Sequence, residues 1–142
     1  KIGIDDSILK SPGKLTDDEF VIMKNHTIFG EEKFSSILKA CGQNSFLKQA
    51  AKLAGNHHEK WNGTGYPTGK KGFEIPLSAR ILTIADVYDA LRIARSYKPA
   101  FTHQEAFDII VSQKNTAFDP VLIDIFVENH LLFAEIFPHK ES

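Results

Sequence analysis

Two adjacent histidines, His57 and His58, stand directly ahead of Glu59 and the run Trp61-Asn62-Gly63-Thr64-Gly65-Tyr66-Pro67. Imidazoles bind transition metals, and glycines let a backbone approach a ligand closely. A metal centre beside a phosphate-accepting loop would support metal-assisted hydrolysis of a phosphate ester. His26 is a third candidate imidazole. Asp86 and Asp89 lie on an apolar helical stretch, where a buried carboxylate needs a cation, a metal or several hydrogen bonds. Arg95-Ser96-Tyr97-Lys98 then offers two cations and an aromatic ring. Arginine suits phosphate oxygens and tyrosine can stack on a base. Neighbouring helical positions diverge by about 100°. His57 and His58 are therefore expected to serve different ions of a multi-metal site, which stabilises both the attacking and the leaving oxygen of a phosphoryl displacement.

The same residues admit plainer roles. An inward histidine is often a satisfied core residue, and His26 could simply complement a helix C-terminus. Arg80 or Arg95 could pair with Asp86, and residues 95–98 could be a surface turn. Several familiar motifs fail. Asn62 stands where a zinc-protease motif needs its second histidine. Gly65-Tyr-Pro-Thr-Gly69-Lys70-Lys71 is one residue short of a P-loop and lacks the final Ser or Thr.

The elements that must position these groups read as helical nearly throughout. Thr16-Asp17-Asp18-Glu19 is a capping box. It predicts a helix to about Asn25 or His26, with a second helical piece to about Ala40. Phe46 to His58 predicts the cleanest helix. Its inward stripe is Phe46, Ala50, Leu53, Ala54 and His57, bordered by Leu47, Ala51 and His58, and Lys48, Gln49, Lys52 and Asn56 face away. Residues 60–76 predict a long glycine-rich loop. Leu77 to about Ala94 is apolar almost all round, which predicts a central, buried helix. Thr102-His103-Gln104-Glu105 opens a helix to about Lys114. Asp119-Pro120 opens the last one, carrying Val121, Leu122, Ile125, Phe126, Leu132 and Phe133. The expected class is all-α, a helical bundle with one long loop.

With 142 residues, 42% of them hydrophobic and 25% charged, the chain can bury a real core as one domain. A net charge of −1 gives no surface-wide field for nucleic acid. Cys41 is the single cysteine, so no intramolecular disulfide can form and a cytoplasmic location is expected. No apolar run reaches about 18 residues, the length of a membrane span. The chain begins at Lys1 without an initiator methionine, and a piece of a longer protein is expected.

At this point the residues match a family. The chain resembles the HD-GYP domain, a bacterial branch of the HD metal-dependent phosphohydrolases. His57-His58-Glu59 through Gly65-Tyr66-Pro67 is the naming motif. Residues 12–16, 23–26, 75–81, 84–91, 95–98 and 118–120 resemble further family blocks, so the likeness covers nearly the whole chain. It implies an all-helical bundle of the HD-domain type that hydrolyses cyclic dinucleotides, chiefly cyclic di-GMP. It implies His26, His57, His58 and Asp86 as metal ligands, to two or three divalent ions in the complete domain, commonly iron or manganese, with zinc as a further choice. It implies Gly65, Tyr66, Asp89, Arg95 and Lys98 as contacts to the dinucleotide. Lys1 is similar to the lysine that follows the family's His-Asp pair near the attacked phosphate.

The departures matter too. The His-Asp pair and earlier ligands would lie upstream of Lys1, so residues 1–142 are expected to be the C-terminal portion of one such domain, inactive alone. An upstream regulatory domain is expected in the parent chain. Asn62 stands where aspartate is usual, and Asp5 where proline is usual. The rival expectation is a non-catalytic module. It would sense a cyclic dinucleotide, or dock a GGDEF-type diguanylate cyclase domain through an exposed Gly65-Tyr66-Pro67 loop. A purely structural helical scaffold is the third reading.

Overall fold

A computed structural model of the chain describes residues 3–11, 13–42, 44–94 and 99–136. The helix starts carry the caps that the sequence offers. Glu19 N–H donates to the Thr16 hydroxyl (3.3 Å), and Thr16 N–H donates to the Glu19 carboxylate (2.7 Å). Thr102 and Glu105 repeat the exchange at 2.8 and 3.2 Å. Asn44 accepts from Leu47 N–H, and Asp119 from Val121 N–H just after Pro120. Each such cap satisfies orphan donors of a first helical turn.

Among the described residues six α-helices result: α1 (Asp6–Leu9), α2 (Asp17–Cys41), α3 (Ser45–Asn56), α4 (Leu77–Arg92), α5 (His103–Ser112) and α6 (Pro120–Ile136). A single 3-10 turn, Gly72–Glu74, interrupts the long loop, and no strand forms among the described residues. The short α1 is capped by Asp5, whose side chain takes the Ser7 N–H. None of the described helices is long and apolar enough to cross a membrane.

Four expectations change. The helix from Asp17 does not stop at His26 but runs unbroken to Cys41. Gly30 is the weakest helix former in between, and it is buried where a Cβ would meet the Ala54 Cβ at 3.0 Å. That close approach also resets the inward face of α3. The small residues Ala51 and Gly55 are buried on it, with Asn56 only 2% exposed. Phe46, expected inward, is 75% exposed at the far end of the helix. Asn56 is buried because its polar atoms are satisfied: its Nδ2 donates to the Lys52 carbonyl (2.8 Å), and its Oδ1 accepts from Lys70 Nζ (2.6 Å).

α4 is not buried all round. Ala79, Ile84 and Tyr88 face the interior while Leu77 and Ile81 are exposed. On α6 the interior side is Ile123 and Phe126, and Val121, Ile125 and Leu132 remain exposed. The main core joins α4, α5 and α6 through Ile84, Tyr88, Ala106, Ile110, Phe118, Ile123 and Phe126. Burial of each large apolar side chain there contributes about 1.5–3 kcal/mol.

Candidate metal centre

α2 and α3 bring three imidazoles together. The ligand-capable nitrogens of His26, His57 and His58 all lie within 4.8 Å of one another. His26 is buried in mid-α2, and its Nδ1 sits 2.6 Å from the Met23 carbonyl. His57 Nδ1 faces the carbonyls of Leu53 (3.1 Å) and Ala54 (3.0 Å). A carbonyl can only accept, so both Nδ1 atoms donate, and in the neutral rings both Nε2 lone pairs are left for the site. Those two Nε2 atoms are 3.3 Å apart. Metal–nitrogen bonds of about 2.0–2.1 Å meeting at one ion leave their nitrogens about 3 Å apart. The donor set therefore fits a divalent transition metal, with the backbone carbonyls fixing tautomer and ring orientation.

His58 joins the group because α3 ends early. Asn56 is the last helical residue, His57 is the C-cap, and His58 lies in the following turn. The expected divergence of the two rings does not occur: their centroids are 4.1 Å apart, and His58 is 5.0 Å from His26. The helical angle applies only where the helix continues.

The loop after His58 folds back over it. Tyr66 N–H donates to the His58 carbonyl (3.1 Å), and the Tyr66 ring lies 4.8 Å from the His58 ring. Gly65 makes this possible. A Cβ there would fall 2.3 Å from Lys60 N and 2.5 Å from Glu59 Cα, so no other residue fits. Gly65, Tyr66 and Pro67 are half-buried, not the projecting loop expected for docking. Farther along, Trp61 and Asn62 N–H groups bond the carbonyls of Ala117 and Thr116 at 3.0 and 2.9 Å. Asn62 Oδ1 itself accepts from Thr64, so the turn is closed without the usual aspartate. Arg80 lies by Trp61 and Phe73 and pairs with Asp119 at 2.5 Å, so it is not a partner for Asp86.

A cavity of about 930 Å³ opens over the imidazoles, lined also by Tyr66, Asp86 and Phe118. Asp86 reaches this cavity from α4, but it is exposed, not buried as expected, and lies outside the three-imidazole group. Asp89 is exposed and is not among the lining residues. Burial, and secondarily the Asp86 charge, push the Tyr66 hydroxyl up to about 12, so it stays protonated as a hydrogen-bond donor. Lys1, Arg95 and Lys98 lie outside the described residues.

Sequence reasoning missed Phe20, Met23 and Glu59 as cavity residues. Phe20 packs edge-on to Tyr66 at 6.2 Å, with Lys24 Nζ 4.8 Å from its centroid. Phe20, Met23 and His26 are spaced by three, the signature of one helix face. That signal lay within the helix expected from Asp17 to about His26.

A model of the HD-domain family matches residues 1–122. A Vibrio cholerae protein named cyclic di-GMP phosphodiesterase is 48% identical over 98% of this chain and 28% of its own length. A Thermotoga maritima protein of the same name is 41% identical over 100% and 37%. The Vibrio cholerae 3′3′-cGAMP-specific phosphodiesterase 2 is 40% identical over 91% and 24%. The chain thus spans about a third or less of these curated relatives. A crystal structure of a cyclic GMP-AMP specific phosphodiesterase from Vibrio cholerae superposes with a TM-score of 0.53 at 22% identity, covering 94% of this chain and 33% of that one. The likeness to that structure extends to the all-helical fold alone. By the match over residues 1–122, with relatives at 40–48% identity, the chain belongs to the HD-domain family and is of the HD-GYP type.

Proposed function

We propose that this chain is the metal-bearing part of a phosphodiesterase that hydrolyses a cyclic dinucleotide, cyclic di-GMP, to the linear dinucleotide or to GMP in the complete protein. The observation that carries this reading is the pair of Nε2 atoms 3.3 Å apart, each ring held by a backbone carbonyl at Nδ1. His26, His57 and His58 would hold a divalent ion, with Asp86 completing the set from α4. Iron or manganese suits imidazole and carboxylate donors at an open site, and zinc is the alternative. Three imidazoles and one carboxylate are few ligands for two or three ions, so further ligands would come from the chain upstream. Such a metal supplies Lewis acidity, making water nucleophilic near neutral pH and offsetting charge on phosphoryl oxygens.

The chain's own residues then bind and orient. Water adds to phosphorus, the bond to the 3′ oxygen breaks, and that oxygen takes a proton. The Tyr66 hydroxyl, protonated throughout the physiological range, donates to a phosphoryl oxygen from its place on the His58 ring. Lys1, Arg95 and Lys98 are assigned to the phosphates, and Gly65 and Asp89 to the dinucleotide, on the resemblance alone. The relatives named for cyclic di-GMP support the substrate, and a cytoplasmic location follows from where that nucleotide is found.

The test is a hydrolysis assay of the full-length protein with cyclic di-GMP and with 3′3′-cGAMP, alongside metal analysis. Activity should be lost on chelation and return with manganese or ferrous iron. Hydrolysis that survives exhaustive chelation, or a metal-loaded protein that leaves cyclic di-GMP intact, overturns the proposal.

A further inference from the structure

We propose that Glu59 and Thr68 form a latch that positions Tyr66 against the metal centre, which makes them positioning residues of the reaction. The proposal rests on the reading of the site given above. Glu59 is 2% exposed and lies between His58 and the loop. Its Oε1 accepts two bonds from Thr68, one from the backbone N–H (2.8 Å) and one from the hydroxyl (2.7 Å). Its Oε2 is equally buried and has no hydrogen-bond partner.

That half-used carboxylate calls for an explanation. A buried carboxylate is costly, and an unsatisfied buried oxygen adds to the cost. A glutamine amide would offer Thr68 the same acceptor without a charge.

The latch closes a loop whose middle is the catalytically interesting part. Residues 59 and 68 are its two ends. Between them, Gly65 lies against the Glu59–Lys60 backbone, Tyr66 N–H reaches the His58 carbonyl, and the Tyr66 ring covers His58. The Lys70–Asn56 bond at 2.6 Å ties the same return strand of the loop to the end of α3. Without the Thr68 hydroxyl, Glu59 Oε1 keeps only the Thr68 N–H bond, and the segment that carries Tyr66 is held less firmly. The Tyr66 hydroxyl would then sample positions off the phosphoryl oxygen.

The experiment uses the full-length protein with Thr68→Val, Tyr66→Phe, the double variant, Glu59→Gln and Glu59→Ala. Measured are kcat and KM on cyclic di-GMP, bound metal, and hydrogen exchange of the peptide covering residues 63–70. Thr68→Val should lower kcat about 10–100-fold, the effect typical of outer-shell partners, with metal content and KM unchanged and exchange of the loop peptide faster. In the Tyr66→Phe background Thr68→Val should cost nothing further, because coupled residues are non-additive. Glu59→Gln should recover most of what Glu59→Ala loses. An undiminished Thr68→Val loss in the Tyr66→Phe background, or unchanged exchange in Thr68→Val, overturns the latch. If the wild-type protein does not hydrolyse cyclic di-GMP at all, the functional proposal fails, and the exchange measurement still decides the latch.

Discussion

The Thr83 hydroxyl of α4 lies 2.9 Å from the His57 carbonyl, and its proton is shared with the Ala79 carbonyl at 2.8 Å. This contact ties the helix that carries Asp86 to the end of the helix that carries His57. Asp86 follows Thr83 by three residues and so lies on the same face of α4. One side-chain hydrogen bond thus joins the element that carries the carboxylate to the one that carries the imidazole.

Thr83→Val keeps the shape and deletes that bond. Metal affinity of the full-length protein should fall about 10–100-fold, as for other outer-shell partners. Titration with manganese followed by calorimetry measures it. Unchanged affinity would mean that packing alone sets the distance from α4 to α3.

Gly65→Ala forces a Cβ to within 2.3 Å of the Lys60 backbone nitrogen, which cannot give way as a flexible side chain would. Overpacking of this kind costs about 1–3 kcal/mol. The urea midpoint should drop accordingly, and the Tyr66 ring should leave His58. A loss of activity with no change in midpoint would point instead to direct ligand contact at residue 65.

Arg80 and Asp119 form a largely buried pair at 2.5 Å, and Arg80 Nε also donates to the Ile75 carbonyl (3.0 Å). Asp119→Ala leaves the guanidinium without its counter-charge and removes the cap of α6. Breaking a buried pair from one side costs about 3–5 kcal/mol. Urea denaturation should register that loss. A double replacement of both residues by apolar ones should recover part of it, which separates the orphaned charge from the lost packing.

A hydrogen-bonded chain links α4, α5 and α6. The Tyr88 hydroxyl is 2.8 Å from His103 Nδ1, and His103 Nε2 is 2.9 Å from His130 Nδ1. Burial, then His130 and Arg92, hold the His103 pKa below its ordinary 6.5. A depressed histidine pKa means that the fold disfavours the charged ring. This contribution to stability is therefore complete above pH 6.5 and is lost as pH falls through the lower folded value. The unfolding midpoint should decline from pH 7 to pH 5, and His103→Gln should flatten that decline. An equal slope in the variant would place the acid sensitivity elsewhere.

Some of this molecule is determined by local sequence. Thr16 with Glu19 and Thr102 with Glu105 fix two helix starts, because a cap is satisfied within four residues of chain. Asp119-Pro120 fixes a third in the same way. His57-His58 next to a glycine-rich run marks the chemistry. Gly65 is dictated by backbone that lies only five and six residues earlier.

The tertiary structure decided what periodicity cannot express. Helical spacing assigns residues to faces, but not which face meets a neighbour or how closely. Gly30 against Ala54 drew α2 and α3 together on their small residues, which left Phe46 outside and buried Asn56. The end of α3 at Asn56 turned two expected divergent histidines into neighbours, and the unbroken α2 delivered His26 to them. The fold-back of the loop placed Tyr66 inward. In these outcomes packing and chain geometry outweigh local propensity, most plainly where α2 meets α3 across residues distant in sequence.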